Sequence, residues 1–217
     1  MIVSLFPPAV RVATAAIGDD APLHPAEQAL AQPMAAARRR EFATGRLCAH
    51  RALAALGVRD APVMRGQRRM PLWPDGVVGS ITHSGGACAA AVARRAEFAG
   101  VGLDAEALEP LSERVLARIC SDAERRALAR LPEHAPELWG TVVFSAKESL
   151  YKAYFPLTGA FLGFRDAEVA LDPASGAFEA RLVRGEAPDA AGRRVLAGRF
   201  ALADGLAWTG LAIATGS

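Results

Sequence analysis

Asp104 and Glu106 stand two residues apart in GVGLDAEALEP, at the end of an apolar run that reads as a strand. In a strand, residues i and i+2 project from one face, so both carboxylates can converge on a point while Val101 and Leu103 turn to the core. Adjacent acids repel unless a positive charge sits between them. A hard divalent cation such as magnesium answers that need, taking one or two protein carboxylates and leaving positions for phosphate oxygens. The plainer alternative is two solvated acids at a strand end. A third carboxylate, Glu148, lies in FSAKESLYKAYF, a helical pattern with Phe144, Leu150, Tyr151 and Tyr154 or Phe155 on its apolar side. Lys147 and Tyr151, and Glu148 and Lys152, share helical faces at i,i+4 spacing. By itself, the Glu148 and Lys152 pair reads as an exposed salt bridge worth a few tenths of a kcal/mol.

Anion-binding candidates come from three other stretches. Thr82 and His83 close the strand-like run GSITH, where a lone histidine is ordinarily a core or surface residue. Arg38, Arg46 and Arg51 lie in a helical segment, and Arg65 and Arg68 in a basic turn. Guanidinium forks grip phosphate oxygens in a bidentate way, although each of these arginines also fits a solvated basic face. Arg38 and Arg46 are separated by about 80° around an ideal helix, so a shared site would need their full side-chain length. His24, His50 and His134 fall into no recognisable constellation, and Trp73, Trp139 and Trp208 read as core or turn packing.

The elements that must carry these groups follow from pattern. Ile2 to Phe6 and Val10 to Ile17 read as β-structure around Pro7-Pro8. Pro25 to Leu56 is helical, with interruptions expected near Pro33 and Gly45 and a stop at Gly57. Strands are expected over Val77 to Thr82, Ala87 to Ala93 and Ala99 to Ala105. Helices follow over Ser112 to Ile119, Asp122 to Leu131 (with Ser121 as N-cap) and Glu137 to Phe155. Four alternating stretches, Ala167 to Leu171, Phe178 to Val183, Val195 to Leu202 and Ala207 to Ala214, read as strands. The order β, α, β, then β, α, β again suggests an α+β fold of two lobes meeting near residue 100, with one continuous domain as the alternative. No internal repeat is visible in the sequence.

Bulk properties narrow the partners. The chain has 217 residues, 52% of them hydrophobic, and a formal charge of +2, without the positive field of a nucleic-acid binder. Cys48, Cys88 and Cys120 form no CxxC pair and read as buried thiols in a reducing compartment. The opening MIVSLFPPAV lacks a signal-peptide pattern, and the alanine-rich run ACAAAVA meets Arg94 and Arg95 too soon to span a bilayer. A soluble cytoplasmic protein with no membrane partner is expected. Neither a GxGxxG loop nor a Walker A pattern is present, which speaks against dinucleotide or nucleotide-hydrolysing enzymes.

Taken in order, WPDGVVGSITHSGG, GVGLDAE and FSAKESLYKAYFPLTG resemble the motif series of the Sfp-type 4'-phosphopantetheinyl transferases, most closely the branch associated with siderophore synthases. RRREFATGRLCAHRAL and RGQRRMPLWP resemble that family's basic helix and the turn before its Trp-Pro pair, so the likeness covers roughly residues 34 to 165. Two departures are Phe144, where many members carry Trp, and Ala105, where some carry a further acid. The resemblance implies two similar α+β lobes in a pseudo-twofold arrangement, 1–100 and 101–217, with the active site at their interface. It implies transfer of phosphopantetheine from coenzyme A to a serine of an apo acyl or peptidyl carrier protein, by a monomer. Asp104, Glu106 and Glu148 would hold Mg2+, with Glu148 as the base and Lys152, or as second choice Lys147, following the leaving oxygen. His83, helped by Thr82, would meet the 3'-phosphate of coenzyme A, with Arg38, Arg46, Arg65 and Arg68 as further phosphate ligands. The rivals are another metal-dependent enzyme of phosphate esters or anhydrides, and a binding module without turnover.

Overall fold

The computed structural model describes residues 2–18, 21–131, 136–188 and 192–216. Helix α1 (Pro25–Ala31) starts at a capping box, in which Glu27 reaches back to the His24 N–H. Helix α2 (Ala36–Ala55) follows, and Gly57, at φ 81°, turns the chain out of it in a conformation that costs other residues dearly. Gly45 does not interrupt this helix. Its missing side chain admits Ile81, whose Cγ2 would lie 3.1 Å from a Cβ built there.

Two antiparallel sheets lie between α2 and the long helix of the second half. The first has the order β1 (Arg11–Ala16), β5 (Ala87–Arg94), β4 (Val77–Ser84). One of its faces packs Val77, Cys88, Ala90 and Val92 beneath Cys48, Ala49, Ala52 and Leu53 of α2. The other presents Val78, Ala89, Ala91 and Ala93 to Val101, Leu103, Ala105 and Trp208 of the second sheet. Small alanines across this middle layer let the sheets approach closely. A two-residue hairpin absent from the expected elements, β2 (Met64–Arg65) with β3 (Pro71–Leu72), projects from the first half.

The second sheet has the order β6 (Phe98–Ala107), β10 (Leu206–Ala214), β9 (Val195–Ala203), β8 (Ala177–Leu182), β7 (Ala167–Asp172). Helices α3 (Glu113–Ile119), α4 (Asp122–Leu128) and α5 (Pro136–Thr158) cover its outer face, where Val142, Val143, Ala146, Leu150 and Ala153 meet Phe178, Ala180, Leu211 and Ile213. Ser121 caps α4 as expected, within a capping box that includes Glu124. The opening residues depart from expectation: Ile2–Leu5 form one turn of 3-10 helix rather than a strand. Leu5 and Phe6 are anchored by burial instead of sheet pairing, the Phe6 ring filling the space left by Gly210, where a Cβ would stand 2.5 Å away.

One arrangement occurs twice. Glu27 and Glu124 each occupy the third position of a capping box and each is buried. Each accepts a backbone N–H at 2.7 Å from a later segment, Val63 in one case and Val169 in the other. Each also binds a cationic or titratable group 23 residues on, His50 of α2 and Lys147 of α5. Among the described residues no helix is long and apolar enough to cross a membrane.

Candidate active site

Strand β6 alternates as its pattern requires: Val101, Leu103 and Ala105 enter the middle core, while Gly100, Gly102, Asp104 and Glu106 turn toward α5. The two glycines allow an unusually close approach. A Cβ at Gly102 would fall 1.8 Å from the Ser149 carbonyl oxygen, and one at Gly100 2.8 Å from that of Ala153. With no side chain between them, α5 lies directly on the strand and sets Glu148 and Lys152 beside the two acids.

Asp104 is the fixed point of this wall, 3% exposed. Its Oδ1 accepts from Lys152 Nζ at 2.7 Å and from the Thr82 hydroxyl at 3.3 Å, and its Oδ2 from the Ser145 hydroxyl at 2.8 Å. Ser145 is itself held by Thr209 at 2.9 Å. Lys152 also donates to Thr82 and to the Leu103 carbonyl, which spends all three of its protons on the wall. Burial, then the neighbouring Asp104 charge, pushes the Glu106 carboxyl up to about 7. The same two causes raise Glu148. The site thus holds more negative charge than its lysine offsets.

The opposite wall is basic. A cleft of about 470 Å³ is lined by Arg38, Glu41, Phe42, Arg46, Arg65, Arg69, Thr82, His83, Asp104, Glu106, Glu148 and Lys152 among others. Arg38 Nη1 lies 2.6 Å from His83 Nε2 and donates to Glu41 at 2.8 Å. An arginine can only donate, so His83 accepts at Nε2 and is a neutral imidazole. Burial and then Arg38 depress the His83 pKa accordingly. Arg46 is 6% exposed yet reaches the cleft; burial pushes its pKa down to about 10 against the opposing pull of Glu27.

Of the residues singled out from sequence, Arg38, Arg46, Arg65, Thr82, His83, Asp104, Glu106, Glu148 and Lys152 share this cleft. Lys147 does not line it. Its ammonium is buried among the Glu124 carboxylate and the Ile119 and Phe164 carbonyls. Arg68 turns instead onto the rings of Phe155 and Phe161, at 5.8 and 5.2 Å, and Arg69 takes the cleft position. Both sit at positive φ, 49° and 66°, and that pair of left-handed residues reverses which arginine faces inward. Arg51 is exposed, and His134 lies outside the described residues. Sequence reasoning missed Glu27, Glu41, Arg69, Ser145 and Thr209; the capping pattern His24-Pro25-Ala26-Glu27 at the start of α1 was the one available signal for Glu27.

Among the described residues no three His, Cys, Asp or Glu side chains converge tightly enough to grip a metal ion alone. The donor chemistry nevertheless suits a hard cation: three carboxylates on one wall, two of them raised by burial and then by the Asp104 charge, with room left for phosphate oxygens.

The family model for the 4'-phosphopantetheinyl transferase N-terminal domain matches residues 26–93, and that for the 4'-phosphopantetheinyl transferase superfamily matches residues 100–203. The 4'-phosphopantetheinyl transferase Svp of Streptomyces mobaraensis is 46% identical over 195 residues, covering 88% of this chain and 79% of the relative. The 4'-phosphopantetheinyl transferase PptT of Mycobacterium tuberculosis is 40% identical over 194 residues, covering 87% and 85%. Enterobactin synthase component D of Salmonella typhimurium is 38% identical over 120 residues, covering 54% of this chain and 48% of the relative.

Proposed function

The chain belongs to the 4'-phosphopantetheinyl transferase superfamily and transfers phosphopantetheine from coenzyme A to carrier proteins; we propose that the cleft between its acidic and basic walls is where it does so. The observation that carries this reading is the meeting in one cleft of Asp104, Glu106, Glu148 and Lys152 with Arg38, Arg46, Arg65 and His83. Coenzyme A has a pyrophosphate and a separate 3'-phosphate, and the two walls suit the two groups.

In this reading Arg38, Arg46, Arg65 and His83 bind the nucleotide phosphates, with Arg69 taking the place first considered for Arg68. The neutral His83, which accepts from Arg38 at Nε2, has its remaining N–H to donate to a phosphate oxygen. Asp104, Glu106 and Glu148 would hold Mg2+, which when bound supplies charge neutralisation at the pyrophosphate. Glu148, raised by burial and by Asp104, is suited to take the proton of the carrier serine. The serine oxygen then forms its bond to the phosphorus that bears pantetheine, and the bond to the departing 3',5'-ADP breaks. Lys152, held 2.7 Å from Asp104, stands where it can release one contact and follow the leaving oxygen.

The boundary between lobes 1–100 and 101–217, with the site at their interface, is supported by the two sheets and by the two matched segments. Both walls come from one chain, which supports a monomer. Three free, buried cysteines support a reducing, cytoplasmic setting. The partner is an apo acyl or peptidyl carrier of siderophore or polyketide synthesis, the first supported by the likeness to enterobactin synthase component D.

Incubation with coenzyme A and an apo carrier protein, with magnesium or with chelator, tests these assignments. Transfer adds the phosphopantetheine mass to the carrier and releases 3',5'-ADP. Undiminished transfer in chelator would reject the metal assignment, and hydrolysis of coenzyme A without carrier modification would point to a phosphatase-like rival.

A further inference from the structure

The basic wall is held by a carboxylate that never reaches it. Glu27 is fully buried, on the short helix α1, and outside the cleft. Its Oε1 lies 3.0 Å from His50 Nε2, 2.7 Å from the Val63 N–H it accepts, and 3.9 Å from Arg46 Nε. Val63 leads straight into β2, where the Met64 carbonyl accepts from Arg46 Nη2 at 3.3 Å and where Arg65 lines the cleft. One carboxylate therefore ties α1, α2 and the hairpin to each other at the root of two cleft arginines.

Arg46 shows why such a tie is needed. Its side chain is 7% exposed, its Nε has no hydrogen-bond partner among the described residues, and its guanidinium lies over the Phe42 ring at 4.5 Å. A guanidinium has five N–H donors, and the protein spends few of them here. A buried cation left so nearly unspent is costly unless a counter-charge stands nearby. Glu27 supplies that charge from behind, at a distance too long to consume the donors. It offsets the burial of Arg46 while leaving the fork available to an anion in the cleft.

We propose that Glu27 is a positioning residue for anion binding, acting through Arg46 and the Val63–Arg65 segment to hold the guanidinium fork ready for a phosphate of coenzyme A. The proposal rests on the reading of the basic wall as the nucleotide site. Glu27→Gln keeps the shape and the acceptor for Val63 but removes the charge.

The test is a double-mutant cycle on Glu27→Gln and Arg46→Ala, read as the Kd for 3',5'-ADP together with kcat and KM for coenzyme A. Each single variant is expected to raise the Kd and KM about tenfold, one charge-assisted contact being worth roughly 1.4 kcal/mol or more, with kcat at saturating coenzyme A within about twofold. In the Arg46→Ala background Glu27→Gln should add little further. Independent, multiplying losses would overturn the proposal, because they would show a general structural role. A Kd unchanged by Arg46→Ala would instead remove Arg46 from the nucleotide site, and with it the proposal. A Kd raised by Arg46→Ala but not by Glu27→Gln would reject the role of Glu27 and leave the nucleotide reading intact. If Glu27→Gln does not fold, Glu27→Asp, which keeps the buried charge but shortens its reach, enters the same cycle.

Discussion

Gly102→Ala adds one methyl group at the point where β6 and α5 touch. Its Cβ would lie 1.8 Å from the Ser149 oxygen and 3.2 Å from the Ala153 Cβ, whereas ordinary contact begins at 3.4 Å. Neither neighbour can swing aside, since one is helix backbone and the other a methyl. The helix must therefore withdraw by about 1.5 Å, in a core that does not deform freely. Overpacking of this kind costs about 1–3 kcal/mol or more, so a Tm lower by about 2–12 °C is expected for a chain of this length. The contact sits between Glu148 and Lys152, the groups proposed for the chemistry, and moving catalytic groups by about 1 Å costs roughly 10²-fold in rate. Release of 3',5'-ADP at saturating coenzyme A and apo carrier, below the melting range, should show a kcat lower by about that factor. Gly18→Ala is the control, because a Cβ there meets nothing within 4 Å. A Gly102→Ala enzyme with kcat within twofold of the parent and an unshifted Tm would refute the claim that this glycine sets the wall.

Glu148→Gln keeps an oxygen that can coordinate weakly but cannot accept the serine proton, so kcat should fall about 10²-fold or more. A magnesium titration separates the roles: recovery of rate with added magnesium would assign the loss to metal binding rather than to the base. His83→Ala should raise KM for coenzyme A and change KM for 3'-dephospho-coenzyme A much less; equal losses would move His83 away from the 3'-phosphate. Lys147→Ala leaves Glu124 buried without its cation, and urea unfolding should report a loss of about 3–5 kcal/mol. For Glu27, burial works upward but is outweighed by the His50, Val63 and His24 hydrogen bonds, leaving its carboxyl below the ordinary range. A depressed folded pKa means stability that is present above the ordinary carboxylate pKa and is lost as the pH falls through the folded value. The Tm gap between the parent and Glu27→Gln should therefore close on acidification, and a constant gap would exclude the charge as its cause.

The central elements were legible because their signals are local. Runs such as Val77 to Thr82 and Ala99 to Ala105 are apolar and bounded by turns, and the alternation of Asp104 and Glu106 with Val101 and Leu103 fixed which side of β6 is acidic. The misreadings share a different cause. Ile2 to Phe6 has strand-like composition, but nothing in it says that no partner strand is near. Gly45 has the look of a helix breaker until the approach of Ile81 is seen. Lys147 and Glu148 are neighbours in sequence, yet about 100° of helix separates their directions, so only packing decides which one enters the cleft. Arg68 and Arg69 exchanged places because the backbone there is left-handed, a state that their side chains do not advertise. Glu27 was overlooked because its partners are up to 36 residues away in sequence.

The clasp made by Glu27 and again by Glu124 looks the same in both halves, yet its passengers differ. In α2 it stabilises the helix that carries Arg46, and in α5 it grips Lys147, the residue immediately before Glu148. A twofold dimer of identical chains would have to repeat every substitution on both sides of its axis. Two clasps within one chain are free of that constraint, so one helix can specialise in the cations proposed for the nucleotide and the other in Glu148 and Lys152, proposed for the chemistry. Damage is partitioned in the same way: loosening the first clasp should cost grip on the donor molecule, and loosening the second should cost turnover.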